Sequence, residues 1–299
     1  MLKFAAERLQ CFETLKLHRV VHVRKLMVSC SLSESNQEAR PPPAPHPPAP
    51  PRLELQMQNV SKFYKDRKVV DGISMKIEQH EVVGLFGANG AGKSTTFNII
   101  VGREQPSSGC VLLGAIDITR FSLQRRARLG IGYMTQEPSV FRGLSVRDNI
   151  RLILQETGLE QDAHNLRIEE LLEEFCLQDV GNTLGRALSG GERRRTELAR
   201  ALASNCAYGG PPKIVLIDEP FAGVDPIGVT GIQKQLRRLC EVMGMGILIT
   251  DHNVNETLRI CERAYMVHNG QVLASGKPDE ILQDRYVQQH YLGREFRGW

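Results

Sequence analysis

The run Gly87-Ala88-Asn89-Gly90-Ala91-Gly92-Lys93-Ser94-Thr95 joins an apolar stretch, Val82-Val83-Gly84-Leu85-Phe86, to Thr96-Phe97-Asn98-Ile99-Ile100. Strand, glycine-rich loop and helix start follow in the order a P-loop requires. Glycines let backbone N–H groups close around phosphate oxygens, and a helix N-terminus adds partial positive charge. The candidate phosphate contacts are Gly87, Asn89, Gly90, Gly92, Lys93, Ser94 and Thr95. Lys93 is placed to reach β- and γ-phosphates, and Ser94 to hold Mg²⁺. A second cluster is Ile214-Val215-Leu216-Ile217-Asp218-Glu219-Pro220. Here an apolar strand delivers two carboxylates at its carboxyl end, where ligands bind in open parallel sheets. Asp218 suits a Mg²⁺ role, and Glu219 suits activation of a water that attacks the γ-phosphate. A third is Leu188-Ser189-Gly190-Gly191-Glu192 before a helix expected over Arg193–Ala203. Ser189 and Glu192 fit a capping box, and the glycines make a second anion-binding helix end. One subunit needs two such sites only if they face different phosphates, or if two copies pair head to tail.

The elements that must position these groups alternate along the chain. Leu53–Val60 and Ile73–Ile77 alternate apolar and polar residues, as antiparallel strands with one wet face do. Residues 120–129 and 146–180 show helical spacing, with Leu166, Leu171, Leu172 and Phe175 expected on one packing stripe. Ile214–Ile217 and Gly246–Thr250 are continuous apolar runs, the pattern of parallel strands covered on both faces. Asn269-Gly270 is a tight-turn dipeptide between two further strands, and two helical segments finish the chain.

Charge and composition bound the class. The 299 residues carry a net charge of +4, all of it in residues 1–52, which hold eight Lys/Arg and four Asp/Glu. The rest is formally neutral, which argues against a nucleic-acid surface built from clustered Lys/Arg. The seven cysteines show no paired spacing, so they read as free thiols in a reducing compartment. No apolar run approaches the ~20 residues that span a bilayer. Residues 1–40 form a basic leader, disordered or a transit peptide. Residues 41–52 are a proline-rich linker holding eight of the fifteen prolines, extended because proline fixes φ and removes donors. The folded domain is expected over 53–299, with a helical subdomain at about 137–200.

The order of these motifs resembles the ATP-binding subunits of ABC transporters. Leu188–Glu192 is similar to the family signature, which usually ends in Gln. Gln136 is similar to the Q-loop glutamine, His252 in Thr250-Asp251-His252 to the switch histidine, and Gly223-Val224-Asp225 to the D-loop. Tyr64 resembles the aromatic that stacks on adenine. Within the family, Gln136–Asn149, Pro220–Pro226, Thr250–Thr257 and Tyr291–Phe296 look most like the ATPase subunits of bacterial lipopolysaccharide exporters. Departures are Ala88 for a usual proline, Met134-Thr135 before Gln136, and a small insertion at Tyr208–Pro212.

The resemblance implies an α/β P-loop core with an antiparallel β subdomain and a helical subdomain. It implies Mg²⁺-dependent ATP hydrolysis, with Glu219 as base and Lys93, Gln136 and His252 beside it. Ser94, Gln136 and Asp218 would serve the metal. Ser189, Gly190 and Gly191 would close on the nucleotide of a second copy in a head-to-tail homodimer. Phe141 and Arg142 would meet coupling helices of separate membrane subunits. The chain would then work peripherally on a membrane, facing cytoplasm or stroma, at a plastid inner envelope if the leader is a transit peptide. Lipid or lipopolysaccharide-type export is the expected task. The competing readings are another lipid or small-molecule transporter, a nucleic-acid or ribosome remodeller, and an Fe–S assembly ATPase.

Overall fold

A computed structural model of the chain describes residues 53–158, 160–204 and 212–288. The leader, the proline-rich segment, most of Tyr208–Pro212 and the tail Tyr291–Phe296 lie outside the described residues.

Two sheets carry the molecule. The first is antiparallel, ordered β2-β1-β4-β5, from β1 (Glu54–Tyr64), β2 (Arg67–Glu78), β4 (Ser108–Leu113) and β5 (Ile116–Asp117). Its alternation holds: Leu55, Met57, Val60, Ile73, Met75 and Ile77 are buried. The second sheet is ordered β10-β9-β3-β8-β7-β6. It comprises β3 (Val82–Phe86), β6 (Ile131–Met134), β7 (Ile214–Asp218), β8 (Gly246–Thr250), β9 (Arg263–His268) and β10 (Gln271–Gly276). Its strands pair in parallel except β10, which returns antiparallel to β9. The turn between them uses Asn269 (φ 47°) and Gly270 (φ 80°), the positive pair that a two-residue hairpin turn demands. Every residue of β3, β7 and β8 is buried, as continuous apolar runs require.

The helices are α1 (Lys93–Val101), α2 (Leu123–Arg128), α3 (Val146–Gln155), α4 (Gln161–Glu174), α5 (Gly190–Ala203), α6 (Pro226–Glu241), α7 (Val254–Leu258), α8 (Pro278–Gln283) and α9 (Arg285–Val287). Local signals start several of them. Ser145 caps α3 by accepting from Asp148 N–H, and Asp225 caps α6 ahead of Pro226 at its first position. Arg126 lies buried at the far end of α1. Its guanidinium donates to the carbonyls of Ile99 (2.7 Å) and Ile100 (2.6 Å) in the last turn of that helix, where carbonyls lack an i+4 donor. Burial lowers its pKa to about 10, which keeps it a cation.

Two expectations need correction. Leu166 is 53% exposed and stands off the stripe. At 100° per residue it points roughly 140° away from Leu171, and His164 takes the buried position beside Ile168, Leu171 and Leu172. The helix expected from Arg193 begins at Gly190, because the Ser189–Glu192 capping box forms in full and draws both glycines into the first turn.

Candidate active site

β3 ends at Phe86, and the chain turns through the glycine loop into α1. Gly90 (φ 78°) and Gly92 (φ 107°) hold left-handed conformations that side chains resist. A Cβ on Gly92 would also stand 2.7 Å from the Val69 carbonyl oxygen. The loop is therefore packed against β2 at a distance only glycine allows. Lys93 bends back over it, donating to the carbonyls of Gly87 (2.6 Å) and Ala88 (3.1 Å). Partial burial lowers the pKa of Lys93, while Glu219 and Asp218 oppose that shift.

The loop opens onto a cleft of about 380 Å³ lined by Lys93, Ser94, Asp218, Glu219, Gln136 and His252, among others. Parallel pairing sets its floor: β7 and β8 put Asp218 directly beside Thr250. Glu219 follows at φ 52°, a left-handed conformation costing about 1–2 kcal/mol for an L-residue. Its N–H donates to the Thr250 carbonyl (2.8 Å). Its carboxylate accepts from Gln136 Nε2 (3.0 Å) on one oxygen and lies 2.7 Å from His252 Nε2 on the other. Two residues far from Glu219 in sequence thus converge on its carboxylate, which lines the same cleft as the phosphate loop.

The remaining sequence candidates fall in two places. Asn89, Gly90, Gly92 and Thr95 line the cleft, and Gly87 closes its loop. Ser189, Gly190 and Gly191 do not line it. Gly190 packs instead at Gly223, whose carbonyl oxygen is 2.6 Å from where a Cβ on Gly190 would sit. Tyr64 stands at the tip of the β1–β2 hairpin, its hydroxyl bonded to Glu104. Desolvation first, and then Glu104, raises the Tyr64 pKa. Phe141 is 46% exposed with the Arg200 guanidinium 4.9 Å from its ring centroid, and Arg142 is exposed beside it.

Four contributors were missed. Asp251 accepts from Phe221 N–H (3.0 Å) and Asn253 N–H (2.8 Å), tying the His252 loop to the segment after Glu219. Arg194, on α5, donates to the carbonyls of Gln136 (3.0 Å) and Glu219 (3.2 Å) and pairs with Glu197 (2.8 Å). Arg67 and Thr250 line the cleft. Thr250 and Asp251 stand inside the quoted Thr250-Asp251-His252 run without a role of their own, and Arg67 and Arg194 carry no local motif; only tertiary contact identifies them.

A metal fits this donor set. Among the described residues no group of three His, Cys, Asp or Glu is gathered as a protein cage. Mg²⁺ does not need one, since it binds through one or two side chains together with phosphates and water. Ser94 and Asp218 supply such donors, and the buried Thr250 hydroxyl lacks a protein partner. Burial, reinforced by Glu219, raises the Asp218 pKa to about 6. A metal must then displace a proton below that pH. The Mg²⁺ concentration needed for tight ADP binding is expected to rise steeply as pH falls from 7 to 5. Asp218→Asn should remove that dependence. A Mg²⁺ titration of fluorescent-ADP binding at both pH values checks it, and parallel pH profiles for parent and variant would exclude Asp218 as the proton's competitor.

Comparison with known proteins decides the family. The ABC transporter family matches residues 70–222. The lipopolysaccharide export system ATP-binding protein LptB of Escherichia coli strain K12 is 49% identical over 244 residues, covering 81% of this chain and 98% of that protein. The chain belongs to the ABC transporter ATP-binding family.

A probable ABC transporter ATP-binding protein of Azorhizobium caulinodans is 47% identical over 252 residues, covering 84% of this chain and 87% of that one. An ABC transporter cassette crystallised in its ADP conformation superposes with TM-score 0.70 at 27% identity, over 81% of this chain and 99% of that one. A dimeric post-hydrolysis cassette bound to ADP and Pi gives 0.65 at 27% identity, over 75% and 98%. Residues 271–297 match the branched-chain amino acid ATP-binding cassette transporter family. This ABC protein is an ATPase of the P-loop fold, and no helix among its described residues is long and apolar enough to cross a membrane.

Proposed function

We propose that the chain is the ATP-hydrolysing engine of a lipid or lipopolysaccharide-type exporter, working as a head-to-tail homodimer under separate membrane subunits. The observation that carries the cargo class is the 49% identity that runs over 98% of the lipopolysaccharide export protein. The head-to-tail arrangement is supported by the separation of Ser189–Gly191 from the cleft. A nucleotide held by one copy's loop leaves the Gly190–Gly191 end of α5 available to the nucleotide of the other, an isologous pairing.

The chemistry follows from the residues. Backbone N–H groups of the loop and the α1 N-terminus hold the phosphates, and Lys93 exchanges its loop carbonyls for β- and γ-oxygens. Glu219 takes the proton of a water that attacks the γ-phosphorus in line, onto a carboxylate oxygen already oriented by Gln136 or His252. Ser94, Gln136 and Asp218 would hold Mg²⁺, which when bound would supply positive charge to offset that of the phosphates. Tyr64 offers its ring to adenine.

Phe141 and Arg142 form the candidate contact for the membrane subunits. Phe141→Ala should lower pull-down of those subunits by about tenfold or more, the range of a truncated aromatic anchor. Binding of ATP should stay unchanged. Equal recovery of membrane subunits with both chains would remove the coupling role.

Purification in mild detergent, with identification of the bound membrane proteins and lipid, tests the cargo. Lipid-exporter subunits carrying a glycolipid are the expected result. The match at 271–297 favours a second reading, a head for a branched-chain amino-acid transporter. Subunits of that kind, or Fe–S scaffold proteins, would overturn the export reading.

A further inference from the structure

The hairpin joining β1 to β2 turns through Lys65 and Asp66, with Lys65 at φ 53°. Tyr64 and Arg67 are direct cross-strand partners in its register. Residues facing each other across an antiparallel pair share one face of the sheet, with Cβ atoms about 5 Å apart. Val69, two residues further along β2, lies on that face as well. Its carbonyl oxygen is what a Cβ on Gly92 would strike. One strand thus presents Val69 against the phosphate loop and Arg67 one pleat repeat further on, roughly 7 Å toward Tyr64.

Arg67 lines the cleft together with Val69, Thr95 and Lys93. Its neighbours on the hairpin are otherwise engaged. Lys62 pairs with Glu104 (3.6 Å) and donates to the Gln105 carbonyl (2.7 Å), and Lys68 pairs with Asp71. Arg67 makes no ion pair among the described residues, and it is exposed. A guanidinium with open donors facing an anion cleft is suited to bidentate phosphate recognition.

We propose that Arg67 is a nucleotide ligand, holding the α-phosphate of ATP between the base platform and the glycine loop. This rests on the reading of the cleft as the ATP site. The assignment to the α-phosphate follows from position. Lys93 and the α1 N-terminus face the inner end of the cleft with Asp218 and Glu219, where the β- and γ-phosphates belong. Arg67 stands on the Tyr64 side, next to the sugar end of the chain of phosphates. ADP keeps that phosphate, so Arg67 should serve ATP and ADP alike.

The test is equilibrium binding of ATP and of ADP to the full chain and to its Arg67→Ala, Arg67→Lys and Lys93→Ala variants. Arg67→Ala should weaken ATP and ADP equally, by about tenfold, the scale of a charge-assisted hydrogen-bond pair at an open site. Arg67→Lys should recover part of the loss, since it restores charge without the fork. The melting temperature of Arg67→Ala should match the parent, as the side chain is exposed. A loss confined to ATP would overturn the α-phosphate assignment, and affinities within twofold of the parent would overturn the role. Lys93→Ala separates the two levels. If it abolishes binding while Arg67→Ala does nothing, only this inference fails; if neither matters, the cleft is not the ATP site.

Discussion

Glu219→Gln is expected to cut ATP turnover by about 10²–10⁴-fold, the range set by removal of a general base. The amide keeps the shape of the carboxylate and one oxygen that can accept from Gln136 or His252, but it cannot take a proton from water. ATP should still bind, since Lys93, Ser94 and the loop are untouched, and the ATP-bound dimer should accumulate. Single-turnover hydrolysis and size-exclusion chromatography with ATP read both effects. Hydrolysis within a few-fold of the parent would show that the base lies elsewhere. A loss of turnover without ATP binding would place Glu219 among the ligands instead.

Arg194→Ala has the largest expected effect on stability. Arg194 and Glu197 leave only 6% and 1% of their side chains exposed, and they lie 2.8 Å apart one turn along α5. Removing the cation strands the Glu197 charge in the interior, at a cost of about 3–5 kcal/mol. For a domain of this size that is a fall in Tm of ~10 °C. The Arg194→Met/Glu197→Leu pair should recover most of it, because an apolar pair of similar volume replaces the ion pair without leaving a charge. Thermal denaturation of the single and double variants decides this. An unchanged Tm in Arg194→Ala would mean that water reaches Glu197. Turnover should stay low even in the double variant, since the Gln136 and Glu219 carbonyls lose their shared donor.

What was legible in the sequence follows from how local each signal is. The glycine loop, the Asp218-Glu219 pair and the Ser189–Glu192 box are contiguous, and each encodes its own backbone geometry. Of the parallel strands, β3, β7 and β8 declared themselves as unbroken apolar runs, whereas β6, only four residues long, did not. Gln136 and His252 could be reached only through family resemblance. Their chemistry depends on meeting Glu219 from positions 83 residues before it and 33 after it. Arg194 and Asp251 were hidden because a charged side chain reads as a surface group until its buried partners are known. Leu166 misled for the opposite reason: an apolar residue near a helical stripe was assigned to it, although the angular offset puts it outside.

Lys93 Nζ donates to two carbonyls of its own glycine loop, Gly87 and Ala88. Those two bonds, with the Gly90 and Gly92 conformations and the close approach of Gly92 to Val69, fix the loop through contacts the chain makes with itself. Much of the ordering entropy of the loop is settled when the chain folds, not when ligand binds. The cycle can then direct nucleotide binding energy toward the second protomer, because the first half of the site needs little of it to take shape.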